Sequence, residues 1–358
     1  MIPHKKYMAE AIKLAKKGEG KVAPNPLVGC VIVKRGQIVG RGYHKEYGGP
    51  HAEVVALEQA RHKARDSILY VTLEPCSHWG KTPPCTEQIV DAGVREVVIG
   101  MKDPNHEVNG FEVLKLRGLK TRIGMLEEEC KKLNEPYEKH SKKGLPLVIL
   151  KAGMTLDGKI ATSTGMSKYI TGKESLRMVH KLRSDTGAVM VGINTIIKDD
   201  PRLDTRFIKG IEPVKLVIDT NLRIPIHANV LRSPKRLIIA CSSRANALKK
   251  KRLGEIGVRF IQTETKSNLV NLRKVMMEMA KMGHQSILLE GGSELNAEML
   301  KNRLVDKVML FSSPKILGDD GIGVVGKIGI KELDKVINVK ETNVKRVGKD
   351  ILVEGRLK

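Results

Sequence analysis

Short apolar runs alternate with amphipathic stretches along the first part of the chain. Apolar residues recur at helical spacing over residues 4–17, and "LVGCVIVKRGQIVGRGYH" predicts two strands joined by a tight turn at Arg35-Gly36. A helix over 51–64, the strand "SILYVTLEP", a helix over 85–92 and the buried strand "REVVIGM" follow. Strands that alternate with helices predict an α/β layer architecture.

The same alternation restarts after a polar stretch. Residues 134–146, "NEPYEKHSKKGLP", combine polar residues with Pro and Gly and are typical of a linker. Beyond it lie "PLVILKAGM", a helix over 174–183, "AVMVGI", "VKLVIDT", "RLIIACS", "SILLEGG" and a helix from about Glu294. A chain of 358 residues, 41% of them hydrophobic, can build two cores. We therefore predict two α/β domains, residues 1–145 and 146–358.

The chain is strongly basic, with 64 Lys and Arg against 40 Asp and Glu and a net charge of +24. Such a positive charge attracts nucleic acids, phosphorylated metabolites or dinucleotides, and it does not indicate which of these the protein binds. Aromatic residues make up only 3%, which provides few stacking surfaces for single-stranded nucleic acid. The sequence shows no secretory signal and no apolar run of membrane-spanning length, so we expect a cytoplasmic protein.

A histidine, a glutamate and two cysteines form a candidate zinc site. The chain has five cysteines, and an odd number argues for metal binding or burial rather than a disulfide framework. His51 and Glu53 begin a predicted helix. Cys76 follows the strand "YVTLEP", and Cys85 begins the next helix. One imidazole and two thiolates are a common ligand set for catalytic zinc, which activates water that Glu53 could deprotonate.

This arrangement matches the general signature of zinc deaminases, H-x-E followed by P-C-x-x-C, with one departure. The two cysteines lie nine positions apart rather than three. A core histidine with two buried structural cysteines therefore stays open as an alternative. Ligation by His44 or His78, which lie in the same part of the sequence, also stays open.

A glycine turn marks the second half of the chain. Residues 290–293, Glu-Gly-Gly-Ser, lie between an apolar strand and a predicted helix. Glycines at such a place let backbone N–H groups approach a phosphate at the helix N-terminus, although most turns of this kind merely connect two elements. No G-x-G-x-x-G follows a strand with an acidic residue about twenty positions on, so a Rossmann site is not indicated.

Two sets of motifs resemble the bifunctional deaminase–reductase family of riboflavin biosynthesis over essentially the whole chain. "APNPLVGCVIV", "PHAEV", "YVTLEPCSHWGKTPPC" and "GMKDPN" resemble its deaminase part. "LKAGMTLDGKIA", "SKYITG", "HKLRSDTGAVMVGINTIIKDDPRLDTR" and "LLEGGSELNAEML" resemble its reductase part. The family has the longer cysteine spacing, so the nine-position spacing of Cys76 and Cys85 supports the resemblance. Two local differences are His106, where the family commonly has proline, and Tyr169, where many relatives carry tryptophan.

The resemblance implies an N-terminal cytidine-deaminase-like three-layer α/β/α domain and a C-terminal dihydrofolate-reductase-like α/β domain. It implies Zn²⁺ on His51, Cys76 and Cys85, with Glu53 as proton carrier. The implied deaminase substrate contacts are Asn25, His44, His78, Lys81, Asp103 and Asn105. The implied NADPH contacts are Gly153, Tyr169, Thr195, Asp199, Gly291, Gly292 and Ser293. The implied reductase substrate contacts are Ser167, Arg183, Leu203, Arg206 and Glu290. Our own candidates for the catalytic handling of the opened ribose are Lys151 and Asp199.

The implied reactions are two consecutive steps. Zinc-dependent deamination of 2,5-diamino-6-(5-phosphoribosylamino)pyrimidin-4(3H)-one is followed by NADPH-dependent reduction of the ribosyl chain to give 5-amino-6-(5-phosphoribitylamino)uracil. The expected partner is this small phosphorylated pyrimidine, with no nucleic acid and no membrane. The basic excess then serves phosphorylated substrates and a polyanionic cofactor. We also expect a homo-oligomer, a dimer or a tetramer.

Two other classes of protein share part of this pattern. A tRNA-editing adenosine deaminase with an accessory domain would share His-Ala-Glu and the basic charge. It predicts the three-position cysteine spacing and no second α/β domain with a dinucleotide turn. A non-catalytic nucleic-acid-binding protein with a structural zinc has no need for Glu53 and would normally supply a fourth protein ligand.

Overall fold

The computed structural model describes residues 3–79, 83–168 and 170–357. The chain divides into two compact units, Met1–Gly144 and Leu145–Lys358. In the described part of the chain, no helix is both long and apolar enough to cross a membrane.

A five-stranded sheet forms the centre of the first unit. Its strands are β1 Gly29–Lys34, β2 Gln37–Tyr43, β3 Ile68–Leu73, β4 Glu96–Met101 and β5 Lys120–Ile123. They lie in the order β2-β1-β3-β4-β5, with β1 antiparallel to both neighbours and β3, β4 and β5 parallel. The described helices are α1 His4–Ala15, α2 Ala52–Ala60, α3 Cys85–Asp91, α4 Gly110–Leu116, α5 Glu127–Leu133 and α6 Glu135–Lys143.

Alternate side chains of the strands build a core on each face of this sheet. Cys30 and Ile32 of β1 pack with residues of α2, α3 and α4, whereas Val31 and Val33 pack with residues of α1 and α5. β3 and β4 are buried along their whole length, which their continuous apolar sequences predict for central parallel strands. The unit therefore has three α/β/α layers, and the predicted fold class is confirmed.

Glycines on β1 and β2 let two helices lie directly on the strand backbone. A Cβ atom at Gly29 would lie 2.0 Å from the carbonyl oxygen of Ala11 in α1. A Cβ atom at Gly42 would lie 2.0 Å from the carbonyl oxygen of Ala52, the first residue of α2. No side chain fits at these positions, so the glycines determine how deeply both helices lie on the sheet.

The second unit is built on a larger, mostly parallel sheet. Its strands are β6 Leu147–Thr155, β7 Lys159–Ala161, β8 Ala188–Gly192, β9 Val214–Ile218, β10 Leu237–Cys241, β11 Arg259–Gln262, β12 Ser286–Leu289, β13 Lys307–Ser313, β14 Ile322–Gly323, β15 Val339–Val347 and β16 Asp350–Leu357. Nine of them lie in the order β11-β10-β9-β8-β12-β6-β13-β16-β15. They are parallel from β11 to β13, and β16 and β15 form an antiparallel hairpin at one edge. β7 and β14 form a separate antiparallel pair.

Helices cover both faces of the nine-stranded sheet. They are α7 Lys173–Thr186, α8 Ile193–Asp199, α9 Ala247–Glu255, α10 Leu272–Lys281 and α11 Ser293–Lys301. Met276 of α10 and Met299 of α11 belong to one core cluster, and Ile196 of α8 and Leu253 of α9 belong to another. This arrangement confirms the α/β architecture predicted for the second half of the chain.

The predicted linker over residues 134–146 is wrong, because most of it forms helix α6. Asn134 precedes the helix, Pro136 lies in its first turn, and Gly144 ends it in the left-handed conformation at φ +61°. None of its residues is fully buried, so the helix has no apolar stripe that a sequence pattern could detect. Its polar composition therefore looked like that of a linker.

Replacing Gly42 with Ala is expected to destabilise the first unit by about 2 kcal/mol or more, because the new methyl group overlaps Ala52 of α2. Gly36→Ala is the control. Gly36 lies in the confirmed β1–β2 turn at φ +79° with open space around it, and alanine there is expected to cost about 1 kcal/mol. Urea unfolding followed by circular dichroism and by fluorescence of Trp79, the single tryptophan, measures both. A smaller loss in Gly42→Ala than in Gly36→Ala would contradict the proposed role of the close approach.

Candidate functional site

Three elements of the first unit bring the predicted zinc ligands together. His51 precedes α2, Cys76 follows β3, and Cys85 begins α3. Their ligand atoms all lie within 4.8 Å of one another, and no second cluster of this kind occurs among the described residues. His51 Nδ1 lies 3.2 Å from Cys85 Sγ and 3.6 Å from Cys76 Sγ.

These distances fit a zinc ion. Tetrahedral zinc with its usual bond lengths to nitrogen and sulfur separates the two ligand atoms by about 3.5 Å. The nitrogen–sulfur distances of 3.2 and 3.6 Å lie on either side of that value. Three protein ligands leave a fourth tetrahedral position, which is the arrangement of a catalytic rather than a structural zinc site.

The two cysteines are electrostatically different. Hydrogen bonds from the side chain of Cys85 and from His51 lower the pKa of Cys76 well below its usual range, although burial opposes this. The backbone N–H of Cys85 also donates to Cys76 Sγ, at 3.3 Å. Because it donates to Cys76 and is buried, Cys85 has a raised pKa. The site therefore stabilises the thiolate at Cys76, and thiolates are the forms that bind metal.

Glu53 is the second residue of α2 and only 4% exposed. Burial, followed by the charge of Cys76, raises the pKa of Glu53 to about 7. A carboxyl group with such a pKa can both accept and release a proton near neutral pH, as general acid–base catalysis requires. The structure thus places a carboxyl group suited to proton transfer beside the candidate zinc ligands.

A cavity of about 340 Å³ opens onto this cluster. Its lining includes His51, Glu53 and Cys76, and with them the predicted substrate contacts Asn25, His44, His78, Asp103 and Asn105. Lys81, the sixth predicted contact, lies outside the described residues. The prediction that these residues bind the substrate stays a prediction, but five of the six meet at one cavity.

Two hydrogen bonds fix the tautomer of His44. Its Nδ1 lies 3.0 Å from the carbonyl oxygen of Pro50, which can only accept, so Nδ1 carries the proton. Its Nε2 lies 3.0 Å from Nδ2 of Asn25 and accepts from that amide. Burial lowers the pKa of His44, which keeps the ring neutral. Asn25 is thereby held with its remaining polar atoms available to a ligand.

Asp103 is held by a second set of contacts. Its Oδ1 accepts from the backbone N–H of Asn105 at 2.8 Å and from Oη of Tyr137 at 3.0 Å. Its own backbone N–H donates to Oε2 of Glu74 at 3.1 Å. Glu74 and Tyr137 also line the cavity, and sequence analysis missed both. No motif identified them, since Glu74 merely ends the strand sequence and Tyr137 lies in the stretch interpreted as a linker.

The second unit has its own cavity, of about 700 Å³. It is lined by five predicted contacts: Ser167, Thr195, Asp199, Gly292 and Ser293. Thr195 and Asp199 belong to α8, which follows β8, and Ser293 begins α11 just after the neighbouring strand β12. Ser167 Oγ donates to Asp199 Oδ1 at 3.1 Å. Asn194 and Arg223, which donates to the Asn194 amide oxygen at 2.9 Å, also line the cavity and were not predicted.

Three other predicted residues form a buried ion network. Arg183 contacts Glu290 through two hydrogen bonds, of 2.6 and 3.0 Å, and Lys151 Nζ lies 2.8 Å from Glu290 Oε2. Burial would raise the pKa of Glu290, but the charges of Arg183 and Lys151 outweigh it and hold this pKa well below its usual range. Glu290 is therefore a fixed anion, and none of the three residues lines the 700 Å³ cavity.

The remaining predicted contacts are dispersed. Leu203 is buried in the core of the second unit at φ +53°, and Arg206 is exposed, paired with Asp204 and stacked on Phe207. Gly153 packs against Thr171, and Gly291 packs against Asn296 at the start of the glycine turn. None of Gly153, Gly291, Leu203 and Arg206 lines the 700 Å³ cavity. Tyr169 lies outside the described residues.

Comparison with known proteins identifies the family. Residues 146–353 match the family described as the RibD C-terminal domain, and residues 1–101 match the cytidine and deoxycytidylate deaminase zinc-binding region. The riboflavin biosynthesis protein RibD of Aquifex aeolicus is 41% identical over 352 residues, which cover 98% of this chain and 97% of that protein. The chain belongs to the RibD family. RibD of Escherichia coli is 36% identical and covers 96% of this chain and 97% of its own length.

Solved structures of RibD proteins have the same fold over the whole length. RibD of Acinetobacter baumannii superimposes with a TM-score of 0.91 at 33% identity, covering 99% of both chains. A Thermotoga maritima protein superimposes with a TM-score of 0.87 at 38% identity, again covering 99% of both chains. The predicted family is confirmed, and with it a riboflavin biosynthesis enzyme that joins a zinc-dependent deaminase to an NADPH-dependent reductase.

Replacing Cys85 with Ser is expected to remove most of the zinc, because a neutral hydroxyl is a far weaker ligand than a thiolate. Cys130→Ala is the matched control, since Cys130 is a buried cysteine of the same unit that lies outside the ligand cluster. Metal analysis of the purified proteins should find one zinc per chain in the parent and in the control. Full zinc in Cys85→Ser would show that the ligand set is wrong.

Proposed function

We propose that the chain catalyses two consecutive steps of riboflavin biosynthesis on one phosphorylated pyrimidine. Residues 1–145 deaminate 2,5-diamino-6-(5-phosphoribosylamino)pyrimidin-4(3H)-one, and residues 146–358 reduce the ribosyl chain to give 5-amino-6-(5-phosphoribitylamino)uracil. The observation that carries the proposal is the buried Glu53 beside a His–Cys–Cys cluster in a ligand-sized cavity. The Thermotoga maritima relative is described as a diaminohydroxyphosphoribosylaminopyrimidine deaminase/5-amino-6-(5-phosphoribosylamino)uracil reductase.

In the deaminase part, His51, Cys76 and Cys85 would hold the zinc. Bound zinc supplies activation of water near neutral pH. Glu53, buried beside these ligands, would take up a proton and deliver it to the departing amino group, as general acid–base catalysis requires. Burial of this carboxyl excludes bulk water from the proton transfer.

The cavity wall orients the pyrimidine. The carboxylate of Asp103 accepts hydrogen bonds from ring or amino N–H groups, and the amides of Asn25 and Asn105 can both donate and accept. By the family resemblance, His78 and Lys81 belong to the pocket around the pyrimidine and its ribose phosphate, and Lys81 offers a cation to the phosphate. A phosphate is well bound there because a cation strengthens each hydrogen bond.

In the reductase part, NADPH supplies the hydride. Backbone N–H groups of Gly292 and Ser293 at the start of α11 suit a cofactor phosphate, and Thr195 lines the same cavity. Asp199, held by Ser167, relays a proton to the opened ribose. Family resemblance adds Gly153, Tyr169 and Gly291 to the cofactor contacts and Arg183, Leu203, Arg206 and Glu290 to the substrate contacts. Lys151, whose ammonium group is fixed by Glu290, orients the sugar.

Replacing Glu53 with Gln is expected to leave the zinc in place and to lower deamination at least about a hundredfold, because glutamine keeps the shape but cannot carry a proton. Glu58→Gln changes an exposed glutamate on the same helix and should leave the rate unchanged. Ammonia release and metal content measured together distinguish proton transfer from zinc binding. Loss of zinc in Glu53→Gln would instead make Glu53 a ligand or a structural support.

Replacing Asp199 with Asn is expected to abolish most NADPH-dependent reduction while deamination stays unchanged, so the deaminated pyrimidine accumulates. Asparagine keeps the size and the contact with Ser167 and removes the proton function. The control is Asp200→Asn, because the Asp200 carboxylate accepts hydrogen bonds from Asn229 and does not line the cavity. Reduction at the parental rate in Asp199→Asn would exclude the relay and make Lys151 the residue to test.

A further inference from the structure

The deaminase cavity extends beyond the part of the chain that matches the zinc-binding region. That match ends at residue 101, and the RibD C-terminal domain begins at 146. Asp103, Asn105, Val108 and Tyr137 come from the segment between them, residues 102–145, and all four line the cavity. The cavity is therefore incomplete without this segment.

Tyr137 is the third residue of α6 and faces the cavity. Its hydroxyl donates to Asp103 Oδ1 at 3.0 Å, the oxygen that also accepts from Asn105 N–H. Two donors on one oxygen fix the rotation of the carboxylate and leave the other oxygen for a ligand. The carboxylate is thus oriented before any substrate arrives.

Asn134, at the junction of α5 and α6, is only 1% exposed. Its Oδ1 accepts from Leu27 N–H at 2.8 Å, and its Nδ2 donates to the carbonyl oxygen of Leu27 at 2.9 Å. Leu27 lies in the loop before β1, two residues after Asn25. The Asn134 side chain thus satisfies both backbone groups of Leu27, as a neighbouring strand would do in a sheet. Because Asn25 is on the same short segment, Asn134 also fixes where Asn25 enters the cavity.

We propose that Asn134 and Tyr137 are positioning residues of the deaminase, which hold Asn25 and Asp103 in the geometry that binds the pyrimidine. The inference rests on the proposed deamination and adds a substrate-fitting role for residues 102–145. Groups ordered in advance lose less entropy when the substrate binds, so the gain appears in affinity. Neither residue contacts His51, Glu53 or the two cysteine ligands through a hydrogen bond in the described structure, and the chemical step should be spared.

The first test is steady-state deamination by full-length, zinc-loaded Tyr137→Phe. We expect KM for the diaminopyrimidine to rise about tenfold, because losing one hydrogen bond to a charged group typically weakens binding by about this factor. The value of kcat should change by less than about twofold. Tyr7→Phe is the matched control. It removes a hydroxyl that donates to Gly36 O at 2.8 Å in the same unit, away from the cavity lining, and should leave KM and kcat unchanged.

Asn134→Ala provides a second test, since it removes both hydrogen bonds to Leu27. A rise in KM with unchanged zinc content is expected here too. An unchanged KM in Tyr137→Phe overturns the proposal, and so does a loss of zinc or of thermal stability in that variant, which would indicate a structural role. A parent chain that does not deaminate the diaminopyrimidine would instead overturn the proposed function.

Discussion

The zinc site depends on how closely α2 lies on the sheet. Gly40 and Gly42 of β2 leave no side chain beneath this helix, and a Cβ atom at either position would lie within 2.3 Å of a helix carbonyl oxygen. α2 places His51, whereas Cys76 follows β3, which is connected to β2 through β1. Metal–ligand distances tolerate deviations of only about 0.2 Å. Gly40 and Gly42 therefore help to set the distances between the candidate zinc ligands, because they let α2 lie close to β2.

Two buried glutamates show how surroundings assign different tasks to one side chain. Burial beside the Cys76 thiolate raises the pKa of Glu53, so this carboxyl exchanges protons near neutral pH. The side chain of Glu290 is 9% exposed and lies between Arg183 and Lys151, so it stays charged. The first arrangement suits proton transfer in a hydrolytic step. The second holds two cations in fixed positions and suits the binding of a sugar phosphate.

Sequence patterns predicted the helices and strands whose apolar residues recur at regular spacing. The clustering of His51, Cys76 and Cys85 could be predicted because the deaminase signature and the family resemblance name these residues, and each lies at the end of a predicted element. Tyr137 could not, because α6 buries no residue completely and so shows no such pattern. The pairing of Lys151 with Glu290 depends on the adjacency of β6 and β12, which no local signal records. The exposed strands β5 and β15 were missed for the same reason as α6.

The two hydrogen bonds between Asn134 and Leu27 connect an early segment of the first unit to a late one. A chain emerging from the ribosome presents His51, Cys76 and Cys85 well before Asn134, so all the zinc ligands exist while the cavity wall is still unfinished. The order of residues along the chain thus separates the candidate ligands from the residue that completes the cavity wall. The cavity reaches its full lining only when the last helix of the unit, α6, has been synthesised.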